Sequence, residues 1–232
     1  QGLLLGNEAF VRNKIGVILC NQDVFLRPYY TEMISGIFSS AHENNFHISF
    51  IRFFNELKNP ILFNELISSE EIGGLILLST NQCIFTENDR DIIKKIKSKI
   101  NKIVCVEWEW EGLSSVSFDR KEAAYDATNY LFKKDYLDCA YIGENDERIE
   151  GFKEAYINNG FKSIEKLFIG IANDMSSGYS AAKILHNYVK QNKIKQLPRG
   201  ICCGSDEVAI GVLKYLNSNK ISIPSEVAVI SI

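Results

Sequence analysis

The sequence predicts an α/β protein made of two doubly wound parallel-sheet lobes. Two observations carry that expectation. Short, nearly continuous apolar runs alternate with longer segments whose apolar positions recur at helical spacing, the pattern of parallel strands covered by helices on both faces. That rhythm also runs through twice, with a polar turn at Lys134-Asp135-Tyr136 separating the two series. Right-handed crossovers then make each series one doubly wound layer. A chain of 232 residues is long enough for two lobes that each bury a core, expected over 14–134 and 135–232.

In the first series, Val17 to Leu19 reads as a strand and Tyr30 to Asn44 as a helix with Ile34, Ile37, Phe38 and Ala41 on one face. His47 to Phe54 is the second strand, and Pro60 opens a helix carrying Leu62, Leu66 and Ile67. Leu75 to Leu78 is a strand, Asp89 to Lys99 a charged helix, Ile103 to Val106 a strand and Val116 to Phe118 a short one, before a helix from Lys121 to Lys133. The second series places strands at Cys139 to Ile142, Lys166 to Ile169, Gly200 to Cys203 and Val227 to Ile230. Its helices run over Arg148 to Asn159, Ser177 to Gln191 and Glu207 to Leu216. Residues 1–13 complete no such unit and read as a linker remnant. Ile232 stops inside or just after a strand, so the C-terminal lobe reads as truncated.

Composition narrows the function. The formal net charge is -3 with 46% hydrophobic residues, which lacks the basic footprint of a surface that holds DNA phosphates. The six cysteines lie mostly in apolar runs, with no C-x-x-C and no histidine at zinc spacing, as expected of buried thiols in a reducing cytoplasm. No metal or cofactor is expected. No apolar run approaches the roughly 20 residues of a membrane span, so no membrane partner is expected either. There is no P-loop, no G-x-G-x-x-G after the first strand, no nucleophile elbow and no H-E-x-x-H. His42, His47 and His186 stand alone. The expectation is therefore a binding protein with no catalytic residues, not an enzyme.

Open parallel sheets bind ligands at the carboxyl ends of their strands. That rule selects Asn21 to Tyr30, Ser79-Thr80, Glu107-Trp108, Asp119, Asn145 to Arg148 and Ser205-Asp206. Aromatic rings, carboxylates and an arginine suit a polyhydroxylated ligand, with rings stacking on sugar faces and charged groups reading hydroxyls. Plainer roles stand beside these: Ser205 or Asp206 as a helix cap, Arg148 as a solvated helix-start residue, Trp108 or Trp110 as packing.

Ile15-Gly16-Val17-Ile18 followed by Pro28-Tyr29-Tyr30-Thr31-Glu32, Gly73-Gly74-Leu75-Ile76-Leu77, Val116-Ser117-Phe118-Asp119 and Tyr141-Ile142-Gly143 form an ordered series. It continues through Arg148-Ile149-Glu150-Gly151-Phe152, Ser177-Gly178-Tyr179, Ser205-Asp206-Glu207-Val208-Ala209 and Ile223-Pro224-Ser225-Glu226-Val227. In that order and spacing the chain resembles, along nearly its whole length, the effector-binding domain of lactose/galactose-repressor-type (LacI/GalR) transcriptional regulators. The resemblance implies a periplasmic-binding-protein-like fold with a small-molecule effector, sugar-like, in the inter-lobe cleft. It also implies homodimerisation, a cytoplasmic location and allosteric control of a helix-turn-helix domain, absent from this chain, that binds operator DNA as in a repressor. Effector contacts carried over are Tyr29, Tyr30, Trp108, Asp119, Arg148 and Asp206. The chain departs from the family at Asp135-Tyr136, where Gly-His is common, at Ser205 in place of Asn, and at Arg27. The alternative on the same fold is a secreted solute-binding protein of a sugar transporter.

Overall fold

The apolar run ahead of Cys20 forms the first strand, β1 (Lys14–Leu19), four of whose residues are buried. After it come a 3-10 turn (Gln22–Leu26), α1 (Pro28–Glu43), β2 (His47–Phe53), a second 3-10 turn (Phe54–Lys58) and α2 (Pro60–Leu66). β3 (Gly74–Leu78), α3 (Glu87–Lys99), β4 (Ile103–Val106) and β5 (Ser114–Val116) follow. This computed structural model describes residues 13–79, 86–107, 109–161 and 167–232. All but the last residue of the expected linker remnant, and Trp108, lie outside the described residues.

Local chemistry sets the helix starts. Pro28 and Pro60 stand in the first turns of α1 and α2, where the missing N–H costs nothing. The Asn59 side chain accepts from the Ile61 N–H at 2.9 Å. At α3, Thr86 and Asp89 cap each other's backbone N–H groups. The five strands pair in parallel in the order β2-β1-β3-β4-β5. One face packs Ile18, Leu75, Leu77, Ile103 and Cys105 against α2 and α3; the other packs Val17, Leu19 and Leu78 against α1. Of the four α1 residues expected to share a buried face, Ala41 is buried and Phe38 is 45% exposed.

The second unit opens with α4 (Arg120–Lys133) and continues through β6 (Cys139–Gly143), α5 (Glu147–Asn158), β7 (Phe168–Gly170), α6 (Met175–Lys190), β8 (Gly200–Cys203), α7 (Asp206–Ser218) and β9 (Ala228–Ser231). Its four strands are parallel in the order β7-β6-β8-β9. α4 and α5 cover the face carrying Cys139, Tyr141 and Cys202, and α6 and α7 cover the face carrying Ala140, Ile142, Ile201 and Cys203.

The two units divide between Ser117 and Phe118, which moves the expected seam. The sequence predicts a first lobe ending at 134, but Leu131 and Phe132 bury their side chains with Ile149, Phe152 and Tyr156 of α5. α4 is thus part of the second unit, and the polar turn at 134–136 is a helix-to-strand connection inside it. Among the described residues, no helix is long and apolar enough to cross a membrane, and no group of His, Cys, Asp and Glu side chains could hold a metal ion.

Candidate functional site

In the second unit the direction of winding reverses between β6 and β8. The helix after β6 covers one face of the sheet and the helix after β8 covers the other, the switch point at whose carboxyl edge open α/β sheets ordinarily receive a ligand. Gly143 and Gly204 stand at that edge. A Cβ on Gly143 would lie 2.6 Å from the Tyr141 Oη and 2.9 Å from the Gly204 Cα; one on Gly204 would lie 2.8 Å from the same Oη. Only glycines let the two strand ends and the Tyr141 phenol share this space. Burial pushes the Tyr141 phenol well above its ordinary range, with Arg148 opposing, so it stays protonated and donates to the Glu144 carbonyl at 3.2 Å.

Arg148 comes from the first turn of α5 and is 4% exposed. Its Nη1 donates to the Gly204 carbonyl, and its Nη2 lies 3.1 Å from the Asp146 carboxylate. Its backbone N–H also donates to Asp146, which caps α5. The buried Nε has no hydrogen-bond partner among the described residues. The guanidinium therefore ties the turn after β6 to the turn after β8. Burial raises the Asp146 carboxyl pKa, Arg148 and its N–H oppose that rise, and Glu144 and Glu147 add to it.

The other expected contacts of this unit sit at the same edge. Asp119 is exposed, lies in the second unit and not in the first, and caps α4 by accepting from the Glu122 N–H at 2.8 Å. Asp206 is exposed in the first turn of α7 and accepts from the Ser231 Oγ at the end of β9. The cap of α7 is Ser205, whose Oγ accepts from the Val208 N–H at 3.3 Å, so Asp206 is left with its carboxylate at the strand ends. Asn173, 7% exposed after β7, is a residue the sequence reading missed. It stands one residue before Asp174, the α6 cap, so the strand-end rule reaches it once β7 is ended at Gly170.

In the first unit the order β2-β1-β3-β4-β5 puts the reversal between β1 and β3. The carboxyl ends there present Asn21, Ser79 and Glu107, with Ser79 and Glu107 only 2% and 8% exposed. Glu107 holds φ of 59°, a left-handed conformation uncommon for glutamate, and its N–H donates to the Val116 carbonyl at 2.9 Å. The strand-end rule selects both, whereas the family resemblance carries neither over as an effector contact. Tyr29 and Tyr30 part company: Tyr29 is 47% exposed, whereas Tyr30 is buried against Val17, Leu19 and Leu78. Their rings meet edge to face at 5.2 Å, and the Arg27 guanidinium lies 5.7 Å from the Tyr30 ring centre. Tyr30 is part of the core, and Tyr29 lies at the surface.

Comparison with known proteins bears on both units. A periplasmic binding protein-like domain model matches residues 128–232. The crystal structure of a LacI family transcriptional regulator from Lactobacillus casei with bound sucrose superposes with a TM-score of 0.68 at 20% identity, covering 93% of this chain and 78% of that one. The chain has the fold of a LacI-family effector-binding domain. A transcriptional regulator CelR–cellobiose complex is similar with a TM-score of 0.74 at 19% identity, covering 94% of this chain and 67% of that one. In sequence, the NTD biosynthesis operon regulator NtdR of Bacillus subtilis (strain 168) is 23% identical over 228 residues, which are 95% of this chain and 66% of the relative. The chain thus spans slightly less than two thirds of that relative's length.

Proposed function

We propose that this LacI-type domain is the effector-sensing part of a DNA-binding transcriptional regulator and that it binds a small polyhydroxylated molecule, a sugar or sugar derivative. The observation that carries the reading is the pair of winding reversals. Each parallel sheet gathers polar groups at one carboxyl edge: Asn21, Ser79 and Glu107 in the first unit, Asn173, Asp146 and Asp206 in the second. Such edges take small ligands, and rows of carboxylate and amide acceptors suit hydroxyl donors. The sugars named with two of the similar structures, sucrose and cellobiose, support the same class. Exposed Tyr29 offers a ring face for stacking on a sugar.

In this reading the effector shifts the chain between two arrangements, and the coupling cannot exceed the effector's differential affinity for them, typically about 1–3 kcal/mol. Operator binding by a helix-turn-helix domain, homodimerisation, a cytoplasmic location and the absence of catalysis belong to the same proposal. Titration calorimetry with a sugar panel tests it. A responsive sugar should bind the native chain and bind Glu107→Gln and Asp206→Asn at least about tenfold more weakly, the loss of one charge-assisted hydrogen bond. Unchanged affinity in both variants overturns the site; no binding across the panel overturns the sugar class.

A further inference from the structure

The outer seam between α4 and α5 is laced by three side-chain pairs. Lys121 meets Glu154 at 2.8 Å, the Asn158 amide donates to the Tyr125 Oη at 3.2 Å, and the Asn159 amide donates to the Asn129 Oδ1 at 2.7 Å. Lys121, Tyr125 and Asn129 follow one another a helical turn apart along α4, so the pairs form a ladder whose last rung is Asn159. The same Nδ2 also donates to the Ala155 carbonyl at 2.8 Å. Asn159 precedes Gly160, and the chain contains no other Asn-Gly pair. Both residues are exposed, and a Cβ on Gly160 would meet nothing within 4 Å. Such a pair has a chemistry of its own, because a glycine, lacking a side chain, leaves its backbone nitrogen free to attack the preceding amide carbon.

In that reaction the Gly160 nitrogen gives up its proton to solvent and bonds to the Asn159 Cγ. The Cγ–Nδ2 bond breaks, and the amide nitrogen takes up a proton and leaves as ammonia. Water then adds across either carbonyl of the five-membered imide and reopens it as aspartate or isoaspartate, so one water is consumed for each ammonia released. Ring closure requires Cβ and the Gly160 nitrogen to face each other about the Asn159 Cα–C bond. In the structure ψ of Asn159 is 10°, which nearly eclipses that nitrogen with the residue's own backbone nitrogen and turns it away from Cβ. The end of α5 holds ψ there. Gly160, with φ of 79°, donates to the Ile157 carbonyl at 3.0 Å, and Phe161 donates to the Tyr156 carbonyl at 2.9 Å. The Phe161 ring stacks on Phe132 of α4, centre to centre at 5.2 Å, and fixes the cap to that helix. The folded chain thus keeps the pair unreactive, and the rotation that closes the ring breaks the cap. The product carries a carboxylate where a donor stood. Asn129 can turn its amide over to meet it, but the Ala155 carbonyl cannot, and a negative charge at the carboxyl end of α5 opposes the helix dipole.

We propose that Asn159 is a site of spontaneous deamidation gated by the cap of α5, and that its one-way conversion unlaces α5 from α4. The whole chain is held at pH 8, folded or unfolded in guanidinium chloride, and the peptide that spans Asn158 and Asn159 is followed by mass spectrometry. Asn158, whose next residue is not glycine, is the internal standard. Unfolded, Asn159 should convert many-fold faster than Asn158. Folded, it should convert at least about tenfold more slowly than unfolded, since only the opened fraction reacts. Phe161→Ala and Asn129→Ala loosen the cap without touching the reacting atoms. Each should speed conversion in the folded chain several-fold and leave the unfolded rate unchanged, and Asn129→Ala keeps the test open should Phe161→Ala not fold. Asn159→Asp, which installs the product, should lower the unfolding midpoint of the second unit by a few degrees. A folded rate equal to the unfolded one refutes the gate. An Asn159 no faster than Asn158 in the unfolded chain refutes the site, and an Asn159→Asp chain as stable as the native one refutes the unlacing.

Discussion

Replacing Arg148 by alanine separates two roles for one residue, a ligand contact and a strut between strand ends. In the structure the side chain is 5% exposed, paired to an Asp146 carboxylate that is itself 17% exposed, and donates to the Gly204 carbonyl. Truncation leaves a mostly buried carboxylate without its counter-charge, a loss of about 3–5 kcal/mol where the pair is fully enclosed. The orphaned carbonyl adds about 1 kcal/mol, less wherever water enters the vacated space. A loss of roughly 3 kcal/mol is expected, which in a unit of about a hundred residues lowers the unfolding midpoint of the second unit by roughly 10–15 °C. The deficit should also depend on pH in a fixed direction. The folded-state pKa of Asp146 is raised, so this group's contribution to stability is full below the ordinary carboxylate value and is lost as pH rises through the raised value. Removing Arg148 takes away an opposing influence and raises it further. The deficit of the variant is therefore larger at pH 7 than near pH 4, and Arg148→Met with Asp146→Asn should recover much of it at pH 7. Urea unfolding at the two pH values measures both effects. A variant that unfolds within 1 kcal/mol of the native chain, with a deficit flat in pH, refutes the strut and returns Arg148 to the role of a direct effector contact.

Three further outcomes follow from other sites. Burial raises the Asp89 carboxyl pKa, but the Thr86 hydrogen bonds and Lys58, 3.0 Å away, outweigh it and hold the value below the ordinary one. Its contribution is thus present above the ordinary carboxylate value and lost as pH falls through the lowered one, and Asp89→Ala should cost the first unit about 2 kcal/mol at pH 7 in urea unfolding. A Cβ on Gly178 would lie 2.3 Å from the Val208 carbonyl, where α6 crosses α7, whereas one on Gly36 in α1 meets nothing within 4 Å. Gly178→Ala should destabilise by about 1–3 kcal/mol and Gly36→Ala should stabilise by about 0.5–1 kcal/mol in the same assay. Burial pushes the Cys105 thiol up to about 11 and the Cys202 thiol up to about 12. Both should resist a thiol reagent at pH 8 in the native chain and react once it is unfolded, which mass spectrometry of the labelled peptides reports.

The strands were legible because a strand buried on both faces has to be apolar throughout. Gly200 to Cys203 and Ile103 to Val106 coincide with β8 and β4 residue for residue. The short edge strand was the weak point: β5 is Ser114–Val116, exposed along its length, and the reading placed it two residues late at Val116 to Phe118. Without a buried face there is no apolar run to mark it. The 3-10 turns at Gln22–Leu26 and Phe54–Lys58 carry no periodic signal and were not anticipated. Tyr29 and Tyr30 show the limit for side chains. Adjacent helix positions point about 100° apart, so one tyrosine went to the core and its neighbour to the surface, and a matched motif treats them alike.

By itself the sequence determined the alternation of strand and helix, and hence a parallel, doubly wound chain, because hydrophobic period and local capping are properties of neighbouring residues. The tertiary structure decided where the chain divides, since α4 joins whichever sheet buries Leu131 and Phe132. It also decided what Arg148 does. The partner of a guanidinium is set by a carbonyl 56 residues away at Gly204, and no local pattern records a contact that only the juxtaposition of β6 and β8 creates.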